Sequence, residues 1–408
     1  MHILDILKER GFVSQVTFEE DLYKQLEREA TTFYLGIDPT ADSIHLGHYV
    51  PVMAMAHLQR AGHVPIPLMG GGTAMIADPS GKTAMRSMLS VEEIDRNVDS
   101  IQTQLDRVID FTQGRAILEN NAPWLRALNF IDFTREIGAF FSVNRMLTAE
   151  CYKARLEKGL SFLEFTYMLL QAYDFLELFR RHNCRLQIGG DDQWSNMLAG
   201  ADLIRRKERQ DAFALTFNLL LTSDGRKMGK TESGTVWMSA ERTSPYELYQ
   251  YLRNIADADV KSCLSMLTFL PMDEVCRLAA LRDAAINDAK RVLAFEFTRI
   301  MHGQEAAEQA QQAAAALFGG GGDAQAVPTA VVTADQLAQD ARITTLVVRA
   351  GLAASNSEAR KLVQGGGIYL GDTQVTDVNH SVPAEAFGAD GLLVRKGKKS
   401  YCRVRLEG

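Results

Sequence analysis

Four segments of the chain combine residue types that can do chemistry. In Tyr34-Leu-Gly-Ile-Asp-Pro-Thr-Ala-Asp-Ser-Ile-His-Leu-Gly-His48 a strand-like run passes through a turn-rich loop into the start of a helix. A helix N-terminus presents unpaired N–H groups and the positive end of its dipole, so it suits an anion such as phosphate. His45 and His48 stand there with Gly47 between them, and either ring can donate to phosphate oxygens. The same two rings can equally cap or pack the helix start. In Ser223-Asp-Gly-Arg-Lys-Met-Gly-Lys-Thr-Glu-Ser-Gly234, Lys227 and Lys230 form a cationic pair in a loop rich in Gly, Ser and Thr. Such an arm can close on a triphosphate and stabilise the charge of departing pyrophosphate, or it can be a plain exposed basic loop.

The third segment, Gly70-Gly-Gly-Thr-Ala-Met-Ile-Ala-Asp-Pro-Ser-Gly-Lys-Thr83, is not a P-loop, because that motif needs a glycine where Ile76 stands. Its glycines instead let backbone approach a ligand closely, and Asp78 can pair with a ligand amino group. The fourth is the stretch Leu160 to Arg181 with Leu186-Gln-Ile-Gly-Gly-Asp-Asp-Gln-Trp194 after it. That stretch is apolar almost all round and reads as a buried helix. Tyr167, Gln171 and Asp174 fall on one face of it at spacings of four and three. Buried polar groups need partners, which a polar ligand, a side-chain network or solvent would supply. Gly189 and Gly190 followed by Asp192 and Gln193 suit a ribose, whose hydroxyls can donate to a carboxylate.

These segments need a scaffold that brings loops together. Short strand-like runs, Thr32–Gly36, Val64–Met69, Arg185–Ile188 and Phe213–Phe217, alternate with helical patterns such as Tyr49 to Arg60 and Val91 to Phe111. This predicts an α/β domain around a parallel sheet over 1–240, with a helical insertion near 121–181 and the basic loop at 223–234. The prolines of Val64–Met69 suit a strand end or edge. Residues 241–318 read as a helical domain. Four glycines from Gly319 to Gly322 then end the helix, predicting a flexible linker over 319–340 and a small mixed domain over 341–408.

The formal charge of −7 conceals an asymmetry. Residues 341–408 hold ten Lys and Arg against six Asp and Glu, which leaves the rest of the chain at −11. A basic end on an acidic body suits a polyanionic partner. The five cysteines are scattered without a CxxC pair, so neither a disulfide framework nor a zinc site is expected, and a reducing cytoplasm fits. No stretch approaches the ~18 apolar residues of a membrane helix. Met1 to Arg10 reads as an amphipathic helix rather than a signal peptide.

HLGH in the first strand–loop–helix unit, together with KMGKT late in the α/β region, resembles the signature pair of class I aminoacyl-tRNA synthetases. YLGIDPTADSIHLGH, DPSGK, FTYMLLQAYDF and LQIGGDDQW are similar to the bacterial tyrosyl-tRNA synthetases, along essentially the whole chain. The resemblance implies a Rossmann-like catalytic domain, an anticodon-side helical domain and a C-terminal RNA-binding domain. It also implies ATP with Mg²⁺ and L-tyrosine as substrates, tRNA(Tyr) as acceptor, and a homodimer joined near Phe140 to Lys158.

By the same resemblance, Tyr34 and Asp174 meet the tyrosine hydroxyl, while Tyr167, Asp78 and Gln171 surround its amino group, with Gln193 nearby. Gly36, Asp38, Gly47 and Gly190 line the nucleotide side and Asp192 takes the ribose. Thr40, His45 and His48 stabilise the triphosphate; Lys227, Lys230 and Thr231 supply the mobile loop; Lys82 and Arg86 assist at the pyrophosphate. The segment Leu346–Leu370 is similar to a ribosomal-protein-type RNA-binding fold, which assigns Arg360, Lys361, Arg395, Lys396, Lys398 and Lys399 to tRNA phosphates. Leu35, Ala74, Ala77 and Gly229 depart from the family strings. A tryptophanyl enzyme shares both signatures, but an indole offers one donor and no acceptor to a Tyr/Asp pair. A non-catalytic RNA binder would not need both signatures together.

Overall fold

Alternating apolar runs and amphipathic helices produce six strands that meet in one sheet. They are β1 (Val13–Val16), β2 (Thr32–Ile37), β3 (Val64–Met69), β4 (Glu119–Asn120), β5 (Leu186–Gly190) and β6 (Phe213–Phe217). The computed structural model describes residues 1–76, 78–80, 89–231, 234–318, 329–353, 355–371, 373–388, 391–397 and 400–407. It divides into two compact units, residues 1–243 with 254–302, and residues 244–253 with 303–408.

In the first unit the strand order is β1-β6-β5-β2-β3-β4, with β1 antiparallel to β6 and the other neighbours parallel. The sheet is therefore the expected one, extended at its edges by two short strands that have no clear sequence signal. The two prolines in β3 are explained by the pairing. The Pro65 carbonyl accepts from Ile117 on the β4 side, and β4 pairs with β3 only at Leu68 and Met69. The missing N–H groups of Pro65 and Pro67 thus face a side with no ladder to break.

From β2 the chain winds outward to β3 and β4, then returns to place β5 and β6 on the other side of β2. This reversal opens a crevice at the carboxyl ends of β2 and β5, the place where open α/β sheets bind ligands. Helix Leu46–Arg60 begins earlier than its apolar pattern suggests, because the His45 ring accepts from the His48 N–H and caps it. Between β4 and β5 the described chain is helical, ending in the long helix Phe162–His182. Its start is fixed by a capping box, in which Ser161 Oγ accepts from Glu164 N and the Glu164 carboxylate accepts from Ser161 N. The same carboxylate receives Arg155 Nε at 2.7 Å in a buried pair that ties the preceding helix to this one.

Helices Val260–Leu267, Met272–Ala279 and Ile286–His302 complete the first unit. Arg10 fastens them to the N-terminal helix Ile3–Glu9 by donating to the carbonyls of Ser265, Thr268 and Leu270. Arg60 lies 3.6 Å above the Phe269 ring. Between these arginines, His57 is buried edge-on to Phe12 and Phe269, and its Nε2 has no hydrogen-bond partner among the described residues.

In the second unit, helices Pro245–Arg253 and Gln304–Phe318 pack together. The hairpin strands β7 (Lys230–Thr231) and β8 (Gly234–Thr235) belong to the first unit. The second has its own sheet of β9 (Thr329–Thr333), β10 (Ile368–Leu370), β11 (Thr373–Val375), β12 (Leu392–Lys396) and β13 (Ser400–Glu407). The order is β11-β10-β12-β13-β9, with only β9 parallel to its neighbour. Ile343, Val347, Ala359, Val363, Ile368, Val394 and Val404 are buried in its core.

Two sequence boundaries differ from these units. Part of the expected linker, 319–340, is structured: β9 pairs with β13, and Thr333 caps helix Ala334–Gln339. The four glycines carry no information about where the next strand begins, whereas Thr-Ala-Val-Val-Thr has the composition of a strand. The helical run 241–318 is shared between the units, since its first and last helices pack on each other in the second unit and the three between them belong to the first.

Burial, with Arg10 and Arg60 nearby, pushes the His57 pKa down to about 3. The unfolded chain therefore binds a proton that the folded chain refuses, so His57 favours folding fully above about pH 6.5 and progressively less toward pH 3. Substitution His57→Phe is expected to flatten the acid limb of the stability profile across that window. Denaturant melts at pH 7.5 and 4.5 check this, and equal pH dependence in both proteins would refute it.

Candidate functional site

The crevice at the strand ends is a cavity of about 650 Å³, in the range of small-ligand sites. Its closed end is built by β2, by helix Phe162–His182 and by the residues just after β4. Asp174, on the fourth turn of that helix, is buried, with each carboxylate oxygen held by a different donor. Trp124 Nε1 donates to Oδ1 at 2.7 Å and Asn121 Nδ2 to Oδ2 at 2.8 Å. Burial pushes its pKa up to about 8 against the pull of these two bonds. Tyr34 on β2 shares this end, its ring 5.1 Å from that of Phe175. Burial, then the Asp174 charge, raise its pKa well above the usual value. Its hydroxyl is buried without a hydrogen-bond partner among the described residues. A carboxylate fixed by two donors beside an unsatisfied hydroxyl can accept from, and donate to, a ligand group that does both.

A second network continues toward the mouth. The Asp38 carboxylate, just past β2, accepts from Thr73 Oγ1 at 2.7 Å and from Tyr167 Oη at 2.8 Å. Asn121 joins the networks, donating to Thr73 Oγ1 at 3.0 Å and accepting from Gly72 N at 2.7 Å. The glycine run after β3 is demanded by this packing, since a Cβ on Gly70 would lie 2.0 Å from Asp38 Oδ1. Buried Gln171 and Gln187 line the cavity, each with a carbonyl oxygen unpaired among the described residues.

On the opposite wall, Asp78 accepts from Gln193 Nε2 at 2.7 Å and from Ser80 N at 2.9 Å. Gln193 also reaches Asp192 at 3.3 Å. The setting of Asp192 in the cleft and the Asp78 charge raise its pKa, which Lys227 partly offsets. Two nearby carboxylates make this wall attractive to an ammonium group or to sugar hydroxyls.

The loop between β2 and helix Leu46–Arg60, with the start of that helix, carries Thr40, His45 and His48 into the same cavity, with Gly36, Gly47, Gly190 and Lys227. His45 and His48 stack at 3.8 Å, and Trp237 meets His45 edge-on at 6.0 Å. His45 thus caps the helix, as one reading of the pair has it, and both rings line the cavity. The KMGKT segment lies against this helix start. Gly229 has a φ of +86°, and a Cβ there would sit 2.8 Å from that of Leu46. This departure from the family string is what lets the loop lie so close.

Lys230 is exposed on β7 and is not among the cavity-lining residues, and of Thr231 only the backbone is described. Lys82, Arg86, Ala77, Lys398 and Lys399 lie outside the described residues. Leu35 and Ala74 are buried and line the cavity. In the second unit Arg360 and Lys361 are exposed. Arg395 stacks 3.8 Å above Tyr369 and Lys396 pairs with Glu358 at 3.1 Å. The sequence reading missed Thr73, Asn121 and Trp124. Asn121 and Trp124 follow a two-residue strand with no periodicity, and their role shows only when their partners are in place.

The family described as tRNA synthetases class I (W and Y) matches residues 26–319, and the tyrosine–tRNA ligase SYY-like C-terminal domain matches residues 323–404. The chain is 56% identical over 404 residues to the tyrosine–tRNA ligase of Caldanaerobacter subterraneus subsp. tengcongensis, covering 99% of each protein. It is 56% identical over 407 residues to that of Clostridium botulinum strain Hall, covering 100% of each. Among solved structures, the C-terminally truncated mitochondrial tyrosyl-tRNA synthetase of Coccidioides posadasii superposes with a TM-score of 0.66 at 31% identity, over 76% of this chain and 91% of that one. The tryptophanyl-tRNA synthetase of Plasmodium falciparum, at 14% identity and a TM-score of 0.55, shares the fold over 75% of this chain and 88% of its own. Family matches along nearly the whole chain and full-length identity agree, and the chain belongs to the class I aminoacyl-tRNA synthetases, in the tyrosine–tRNA ligase family.

Proposed function

We infer that the chain activates L-tyrosine with ATP to tyrosyl-adenylate and pyrophosphate, then transfers the tyrosyl group to the 3′-terminal ribose of tRNA(Tyr). The observation that carries the choice of amino acid is the closed end of the cavity. Asp174 is anchored by Trp124 and Asn121, and the buried Tyr34 hydroxyl has no partner among the described residues. A phenol satisfies both, donating to Asp174 and accepting from Tyr34. An indole N–H could only donate, and phenylalanine would leave the Tyr34 hydroxyl without a partner at about 1–3 kcal/mol and give the buried Asp174 carboxylate no donor beyond Trp124 and Asn121.

With the side chain seated there, Asp78, Tyr167 and Gln171 fall to the amino group, with Gln193 beside them, and the carboxylate points toward the nucleotide loop. That carboxylate attacks the α-phosphate of ATP, whose magnesium arrives with the substrate. Thr40, His45 and His48 then meet the phosphates, Gly36, Asp38, Gly47 and Gly190 line the nucleotide, and Asp192 accepts from the ribose. Lys227, Lys230 and Thr231 act from the KMGKT loop, and Lys82 and Arg86 from theirs. The step needs no covalent enzyme intermediate, so its acceleration comes from positioning and fixed charge.

Residues 1–240 are assigned this chemistry, and the basic C-terminal residues Arg360, Lys361, Arg395, Lys396, Lys398 and Lys399 are assigned tRNA phosphates. No helix among the described residues is long and apolar enough to cross a membrane, and work in the cytoplasm fits the substrates. The insertion between β4 and β5 supports a homodimer, because Phe130, Ile131, Val143, Leu147, Leu156 and Phe162 are all exposed on it.

Pyrophosphate exchange should depend on tyrosine and not on phenylalanine or tryptophan, and Asp174→Ala should lower kcat/KM for tyrosine about a hundredfold. Exchange driven by tryptophan, or wild-type rates in the variant, would overturn the assignment of this pocket. A chain ending at Phe318 is expected to keep exchange within about twofold while tRNA aminoacylation drops at least tenfold, on the scale of several lost phosphate contacts. Equal loss of both activities would count against a separate RNA-binding role. Sedimentation equilibrium should give twice the 45.2 kDa chain mass, falling to one chain in Val143→Asp. A wild-type monomer at micromolar concentration would refute the dimer.

A further inference from the structure

Helix Val91–Leu105 runs beside the loop that joins β2 to helix Leu46–Arg60, and Asn97, Ser100 and Gln104 reach that loop from one helix face. Asn97 Nδ2 donates to the Pro39 carbonyl at 2.9 Å, and Ser100 Oγ to the Asp42 carbonyl at 2.7 Å. Gln104 does more. Its Nε2 donates to the Asp42 carbonyl at 3.1 Å, and its Oε1 accepts from Ile44 N and Ser43 Oγ, both at 3.0 Å. Gln104 and Ser43 are both buried.

Ser43 extends the connection to the other signature segment, because its Oγ accepts from Ser239 N at 3.0 Å. Ser239 follows a short antiparallel seam where the chain leaving the KMGKT hairpin meets the chain entering the HLGH helix. Leu46 N donates to the Val236 carbonyl at 3.1 Å, Met238 N donates to the Ile44 carbonyl at 2.9 Å, and His45 stands opposite Trp237. One buried amide outside the cavity lining therefore holds the loop bearing Thr40 and His45, and through Ser43 the base of the cationic hairpin.

We propose that Gln104 is a positioning residue for adenylate formation, setting the two signature segments in register around the triphosphate. The inference rests on the reading of the Thr40–His48 loop as the phosphate site. Glutamine suits the task because one side chain supplies both the donor for Asp42 and the acceptor for Ile44 and Ser43. Leucine fills similar space but strips the Ile44 N–H of its acceptor and leaves the Asp42 carbonyl with Ser100 Oγ alone, so the loop must shift to bring that N–H to water. A shift near 1 Å at a reacting centre lowers a rate by about a hundredfold.

The test uses the full-length chain with Gln104→Leu, Ser43→Ala and His45→Ala. Active sites are titrated, the single-turnover rate of tyrosyl-adenylate formation is measured against ATP, and tyrosine binding is followed by equilibrium dialysis. Gln104→Leu should slow the step about tenfold to a hundredfold per active site and raise the ATP requirement, with tyrosine affinity within about twofold. Ser43→Ala should show a smaller effect of the same kind, and it carries the test if the leucine variant does not fold. Wild-type rates per site in both, with only a lower melting temperature, would mean that Gln104 merely stabilises the fold. If His45→Ala slows the step while the other two do not, this inference fails alone. If His45→Ala is also without effect, the phosphate-site reading fails with it.

Discussion

A carboxylate buried at the closed end of a cleft is an expensive thing to build, and much of that end of the cavity is arranged around it. Asp174 is out of water and burial opposes its charge, so the fold supplies two N–H donors from one short stretch after β4. Those donors require Trp124 and Asn121 to be held in turn. Asn121 is held by Gly72 and by contact with Thr73, and Thr73 is tied to Asp38 and so to Tyr167. The polar groups at this end form one connected set, and altering a member transmits to the rest. The buried Tyr34 hydroxyl stands outside that satisfaction, which makes it the informative feature of the site.

The sheet makes this arrangement possible. Parallel strands deliver their following loops to the same edge, and the reversal of winding at β2 separates the loops after β2 and β3 from those after β5 and β6. The helical insertion does not interrupt this logic. It adds the long helix whose polar face carries Tyr167, Gln171 and Asp174 into the crevice, while its apolar remainder packs on Tyr34, Ile66 and Leu203. The side of the cavity lined by Thr40, His45 and His48 is built differently. There, backbone seams and helix caps dominate, and the glycine at 229 allows close approach of the two signature segments.

Much of this was legible from residue order. The HLGH loop entering a helix, the stripe at 167, 171 and 174, and the Gly-Gly-Asp-Asp-Gln turn after β5 all lie where their local patterns implied. The four main strands do too. The misses share a cause. β1 and β4 are short edge strands whose pairing, not composition, makes them strands. The strand at Thr329–Thr333 depends on β13, more than sixty residues later. The helices of 241–318 are alike in composition, and only their packing partners divide them between units.

By itself the sequence determined the reaction family, the parallel α/β scaffold and the chemical types gathered at the cleft, because these follow from local spacing and matched strings. Tertiary structure alone decided which groups are satisfied by one another and which remain for a ligand. Asp174 is partnered by residues fifty positions away, Tyr167 by Asp38, and Tyr34 by none among the described residues. Hydrogen bonding is a property of atoms within about 3 Å, and distance in space between residues far apart in the chain is not encoded in any short stretch of it.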